Sequence, residues 1–91
     1  MVIQMKELTM FMLPNCPHCK LALKFAEELI AENPEYGKIP VKMIDENKES
    51  ALADKYNYYY VPSYFIGDTK LFEGHAEKAD VEKVFKAALE A

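Results

Sequence analysis

Tryptophan is missing from this chain, and glycine (three), cysteine (two) and proline (five) are sparse among its 91 residues. Glycine and proline fall singly between periodic segments, which leaves no linker, low-complexity tract or repeat; the length suits one small domain over residues 1–91. No apolar run reaches the roughly 20 residues that a membrane-spanning helix needs. The longest near the N-terminus, Leu8 to Pro14, is interrupted by Thr9 and lacks a small-residue cleavage site, so the expectation is a cytoplasmic protein with no signal peptide. Positive charge is also short: eleven basic residues against fifteen acidic ones leave a formal net charge of −4. That field repels phosphate backbones and anionic lipid, so neither nucleic acid nor membrane is expected as a partner.

What remains is 51% apolar and 29% charged, the make-up of a folded globular chain. "ELTMFML" reads as a buried first strand ending at Pro14. From Pro17 to Glu32, Leu21, Phe25 and Leu29 recur every fourth residue beside Ala22, Ala26 and Ile30, while Lys20, Lys24, Glu27, Glu28 and Glu32 face away, the pattern of an amphipathic helix. Pro17 suits its first turn, and Asn33-Pro34 with Gly37 closes it. "IPVKMID" predicts a second strand with Val41 and Met43 on one side, followed by a helix through Leu52 and Tyr56 ending near Asn57. "VPSYFIGDTKLFEG" predicts a hairpin, Ser63–Ile66 and Thr69–Phe72, turning at Gly67-Asp68. Val81, Val84, Phe85, Ala88 and Leu89 form the stripe of a last helix starting at Asp80 or a neighbour. The order βαβαββα implies an α/β fold: a mixed four-stranded sheet with its first two strands parallel, covered by three helices on its two faces.

"NCPHCK" holds both cysteines where the first strand gives way to the first helix. A thiol there faces unpaired N–H groups and the positive end of the helix dipole, so Cys16 should ionise readily and act as a nucleophile. Cys19 lies almost one turn on, within bridging reach, on a face continuing into Leu23 and Ala26, so it should be shielded and resolving. His18 can carry positive charge near neutral pH, which would favour the Cys16 thiolate and make the disulfide easier to reduce. A static staple across two intervening residues would close too small a loop to restrict the unfolded chain much. As ligands, Cys16 and Cys19 make half of a structural zinc site, with only His18 and His75 left to complete it. A metal or iron–sulfur module therefore calls for two chains pooling their thiolates.

Taken together, C-P-x-C at the first strand–helix junction, the βαβαββα order and Val61-Pro62 opening the third strand resemble the thioredoxin superfamily over nearly the whole chain. "PNCPHC", with the short segment before it, looks most like a glutaredoxin. The resemblance implies a thioredoxin-like fold and a thiol–disulfide oxidoreductase, monomeric and without a bound cofactor, that works through a mixed disulfide on Cys16 resolved by Cys19. Pro17 and His18 would tune the site. Pro62 would be cis, with the Val61 backbone pairing with an extended substrate, and Tyr60, Val61, Pro62, Gly74 and His75 would form the substrate surface. The implied partners are a disulfide-bearing protein or small molecule, and a reductase or glutathione as electron donor. Leu13 stands where glutaredoxins usually carry a lysine, and "FEGHAEKAD" has one glycine where they have two. Glutathione as co-substrate would therefore need a substitute cation from Lys20, His75 or Lys78.

Four tyrosines, Tyr56 and Tyr58 to Tyr60, precede Val61-Pro62. They are expected mainly to pack at a strand edge, with Tyr60 the one approaching the site. Phe11, Phe25, Phe65, Phe72 and Phe85 fall at core-facing periods, and "DENKES" reads as a solvated turn and helix start.

Overall fold

A computed structural model describes residues 7–90; the ends of the expected domain, residues 1–6 and 91, lie outside the described residues. Four strands, β1 (Leu8–Met12), β2 (Val41–Asp45), β3 (Ser63–Ile66) and β4 (Thr69–Glu73), form one sheet in the order β2-β1-β3-β4. β1 pairs parallel with β2 and antiparallel with β3, and β3 pairs antiparallel with β4. The helices are α1 (Pro17–Glu32), α2 (Ser50–Ala53) and α3 (Lys78–Glu90), with a short 3₁₀ helix at Pro34–Lys38. The expected mixed sheet and element order are therefore the ones observed.

Alternation along β1 sends neighbouring side chains to opposite faces, and both faces are covered. On one side Leu8 and Met10 pack with Ala22 and Leu29 of α1 and Val81, Val84 and Phe85 of α3. On the other, Phe11 meets Ile44, Phe65 and Ala53, with Tyr56 and Tyr58 against them. Each fully buried Leu or Phe side chain contributes about 1.5–3 kcal/mol relative to exposure. That makes β1, interior to the sheet and buried on both faces, the best-anchored element.

Local signals explain the boundaries. Pro17 occupies the first turn of α1, where its missing N–H costs nothing. The side chain of Asn33 accepts from the Glu35 N–H at 3.2 Å and starts the 3₁₀ helix, which delivers buried Tyr36 to Phe85 and to the Glu82 carboxylate at 2.9 Å. The hairpin turns at Gly67, whose φ of +58° suits a residue without Cβ.

Several expectations shift. The second helix is one turn, Ser50–Ala53, not a helix running to Asn57: the Lys55 and Tyr56 N–H groups bond three residues back, to Leu52 and Ala53, tightening the helix into a turn that points Tyr56 at Phe11. β4 runs one residue further, to Glu73, and α3 begins at Lys78. Asp80 sits inside that first turn and accepts the Glu77 N–H at 2.9 Å, the backward half of a capping box. Val41 and Met43 lie on an edge strand and are 44% and 53% exposed, while Ile44 between the sheet and α2 carries the packing. The inward face of α1 runs through Cys19, Ala22 and Leu29, leaving Ile30 exposed and Leu21 only half-buried.

Candidate active site

Cys16 is the N-cap of α1. Its position follows from β1, which ends at Met12 and hands the chain through Leu13 and Pro14 to the helix; the Cys16 N–H bonds the Leu13 carbonyl at 3.1 Å and closes that turn. The Cys16 side chain is half-buried and Cys19 is 1% exposed, and both are free thiols. Partial burial by itself raises the Cys16 pKa. The Cys19 and His18 amides at the helix head and the Cys19 thiol outweigh it, so the Cys16 thiol is held below its ordinary value although no amide makes a capping hydrogen bond of full strength. For Cys19 the balance is reversed: burial dominates and, with Cys16 beside it, pushes its thiol up to about 11 despite the Leu13 backbone. The pair thus divides into an ionisable outer sulfur and a protonated inner one, as the sequence implied.

This division sets an expected labelling pattern. Brief alkylation of the reduced protein near pH 7 should modify Cys16 alone, with Cys19 reacting only as the pH approaches 11 or after unfolding. Peptide mass mapping checks it, and equal labelling of both sulfurs at neutral pH would contradict the assignment.

The expected substrate-side residues assemble next to this turn. Val61-Pro62 is a cis peptide, and the Pro62 carbonyl accepts the Gly74 N–H at 2.9 Å. The Pro62 side chain, expected on the substrate surface, is instead fully buried. Gly74 adopts φ of +91°, and a Cβ placed there would stand 3.8 Å from the Tyr60 Cβ, so Tyr60 and Gly74 adjoin. His75, the next residue, reaches the redox motif itself: its Nδ1 lies 3.0 Å from the Nδ1 of His18. Tyr56 and Tyr58 pack on Phe11 and Phe65, over the two interior strands and not at the strand edge expected, whereas Tyr59 and Tyr60 are 82% and 68% exposed. Of the substitute cations for glutathione, Lys78 is ion-paired with Glu28 and Glu32 across the α1–α3 seam. Phe11, Phe65 and Phe85 are buried; Phe25 and Phe72 are half-buried against the same core.

Two acidic residues at the site were not foreseen. Glu73, at the end of β4, accepts the N–H groups of Tyr59 and Tyr60 at 2.8 and 3.1 Å and pairs with Lys70, fixing the backbone that leads into Val61. Lys70, then those two amides, hold its carboxyl down at about 2, so this clamp persists until the pH falls to that range. Glu46, inside the "DENKES" turn, accepts the Tyr58 hydroxyl at 2.8 Å, and its charge opposes ionisation of both Cys16 and Cys19. The rest of that stretch is the solvated turn expected, with Asp45 accepting the Asn47 N–H. Among the described residues no group of three or more His, Cys, Asp or Glu side chains is placed to hold a metal ion, and no helix is long and apolar enough to cross a membrane.

Comparison with known proteins agrees with this geometry. Residues 6–86 match the family model described as a thioredoxin domain. The chain is 30% identical over 81 residues to a thioredoxin of Methanocaldococcus jannaschii, covering 88% of this chain and 93% of that protein. Among solved structures it superimposes on a protein disulfide oxidoreductase from Aeropyrum pernix with a TM-score of 0.62 and 25% identity, over 92% of this chain and 38% of that one. A structure described only as a malarial protein shares the fold, with a TM-score of 0.69 and 21% identity over 94% of this chain and 99% of its own. The chain belongs to the thioredoxin domain family.

Proposed function

We propose that this chain is a thiol–disulfide oxidoreductase that reduces disulfides in other proteins. The observation that carries this reading is the opposed state of the two sulfurs at the head of α1: Cys16 half-exposed and readily ionised, Cys19 buried and held protonated. The Cys16 thiolate attacks one substrate sulfur, the substrate S–S bond breaks, and the other substrate sulfur leaves and takes up a proton. A mixed disulfide now joins Cys16 to the substrate. Cys19 then gives up its proton and attacks the Cys16 sulfur, which releases the second substrate thiol and leaves the Cys16–Cys19 disulfide. The substrate gains two electrons and two protons; the chain supplies both electrons and the Cys19 proton, and the second proton comes from solvent, which took up the Cys16 proton when that thiol ionised. Ionising Cys19 is the harder demand, since its thiol titrates near 11 in the free protein. Formation of the mixed disulfide removes the Cys16 thiolate that helps hold that proton in place and so eases the second step.

The substrate surface in this reading is the Tyr60, Val61 and Gly74 strip, held by the buried Pro62 whose carbonyl accepts the Gly74 N–H, with the exposed faces of Tyr59 and Tyr60 taking up apolar side chains of an extended polypeptide. The thioredoxin relative and the match to a protein disulfide oxidoreductase support disulfide oxidoreductase chemistry. The protein acts, in this proposal, as a cytoplasmic monomer maintaining reduced protein thiols, with glutathione or a flavin reductase as electron donor. A glutaredoxin-type use of glutathione would place the tripeptide on the same strip. The test is a coupled NADPH assay on a disulfide-bonded protein, run once with thioredoxin reductase and once with glutathione and its reductase. NADPH consumption with at least one donor is expected, and the faster donor assigns the subfamily. No consumption with either overturns the proposal.

A further inference from the structure

His18 and His75 are 57 residues apart in the chain, yet their Nδ1 atoms stand 3.0 Å apart with the rings nearly perpendicular, at 80°. Two imidazole nitrogens at that distance share one proton: one nitrogen donates and the other offers its lone pair. The second nitrogen of His75, Nε2, faces the Glu77 carboxylate at 3.2 Å. A carboxylate accepts only, so His75 Nε2 carries a hydrogen. In neutral His75 the Nδ1 is then bare, and only His18 can supply the proton between the rings. If His75 is instead the charged partner, the Nδ1 of His18 must be bare. The bridge therefore tolerates one positive charge and excludes two, and Glu77 is the anion hydrogen-bonded at its far end. Neither His75 nor Glu77 is among the groups that shift either thiol, whereas His18 lies between the two cysteines and turns its backbone N–H toward Cys16.

We propose that His75 is a positioning residue of the redox centre: oriented by Glu77, its Nδ1 receives the Nδ1–H of His18 and holds that imidazole and its charge at the head of α1, which favours the dithiol over the disulfide. This rests on the oxidoreductase reading and adds to it how the potential is set from the β4–α3 loop. It also gives His75 a role different from the substrate contact expected of it from sequence. Both rings are solvent-exposed, so screening limits the effect to a severalfold change rather than many orders of magnitude.

The measurement is the equilibrium of the intact protein with a glutathione buffer, in which protein dithiol plus one glutathione disulfide gives protein disulfide plus two glutathione thiols. His75→Ala should raise this constant by roughly three- to tenfold, a tenfold rise being a potential about 30 mV lower. In a His18→Tyr background the same replacement should change it by less than about 1.5-fold, because the effect travels through His18. Glu77→Gln, which keeps an acceptor for Nε2–H, should shift it less than Glu77→Ala. Imidazole nitrogen NMR above neutral pH should show the Nε2–H tautomer for His75 and the Nδ1–H tautomer for His18. An unchanged constant in His75→Ala, an equal change in the His18→Tyr background, or the reverse tautomers overturns the inference. These outcomes leave the oxidoreductase reading standing. Cysteines that never exchange with glutathione or any other disulfide would remove both.

Discussion

Cys19→Ser should accumulate a covalent adduct with substrate, stable until a reductant is added, while Cys16→Ser should form none and lose at least about a thousandfold in turnover. The asymmetry follows from burial and from the helix head. Cys16 is half-exposed at the N-cap, with the first-turn amides lowering the cost of its charge. Cys19 is 1% exposed, and burial holds its proton on up to about pH 11, so an incoming disulfide can neither reach it nor find a thiolate there. With Cys19 replaced, the first exchange still proceeds but nothing inside the chain can expel the product. Incubation with an oxidised protein substrate, followed by non-reducing electrophoresis, reads the result directly. Equal trapping by the two variants would mean that the sulfurs are interchangeable and would sink the assignment.

The largest effect on stability is expected at Phe11. Its ring is fully buried, lies 4.8 Å from Tyr58 in a stacked arrangement, 4.7 Å from Tyr56 and 5.7 Å from Phe65, and fills the face of β1 opposite α1 and α3. Phe11→Ala removes that centre and should cost about 3–5 kcal/mol, a large part of the roughly 5–15 kcal/mol that holds a domain of this kind together. Since each kcal/mol moves the melting temperature by roughly 4–8 °C in a chain of this length, a fall of at least about 12 °C is expected. Phe11→Leu should recover most of the loss, and Tyr59→Ala, at an 82% exposed position, should stay within about 0.5 kcal/mol. Urea unfolding followed by far-UV circular dichroism measures all three. A Phe11→Ala protein as stable as the parent would show that the aromatic cluster does not anchor this face.

How much of this was legible in the sequence depends on whether the signal is local. α1 was readable because a 3.6-residue period runs for four turns behind Pro17, and the β3–β4 hairpin because Gly67-Asp68 interrupts two apolar runs. The placement of the cysteine pair, Cys16 at the helix head and Cys19 buried one turn on, was readable because helix position and spacing are local signals. The second helix was overread: Leu52 and Tyr56 are four apart, but the chain tightens after Ala53 so that Tyr56 can enter the Phe11 cluster, a demand made by residues elsewhere in the fold. Tyr58 and Tyr60 look alike as letters, yet one stacks in the core and the other faces solvent, because that choice belongs to the loop path that Glu73 pins. Glu46 and the His18–His75 bridge were invisible for the same reason. A carboxylate in an acidic turn and a histidine after a lone glycine carry no period, and only the folded sheet brings them to the thiols.

The position of the thiol turn on β1 has a further consequence. β1 is flanked on both sides, by β2 and β3, and buried on both faces, so its backbone hydrogen bonds break only when the sheet as a whole comes apart. The reactive sulfur stands four residues beyond the last residue of that strand. In the proposed function it is therefore anchored beside a strand that opens only with the sheet, and repeated disulfide exchange would need no local unfolding of that strand.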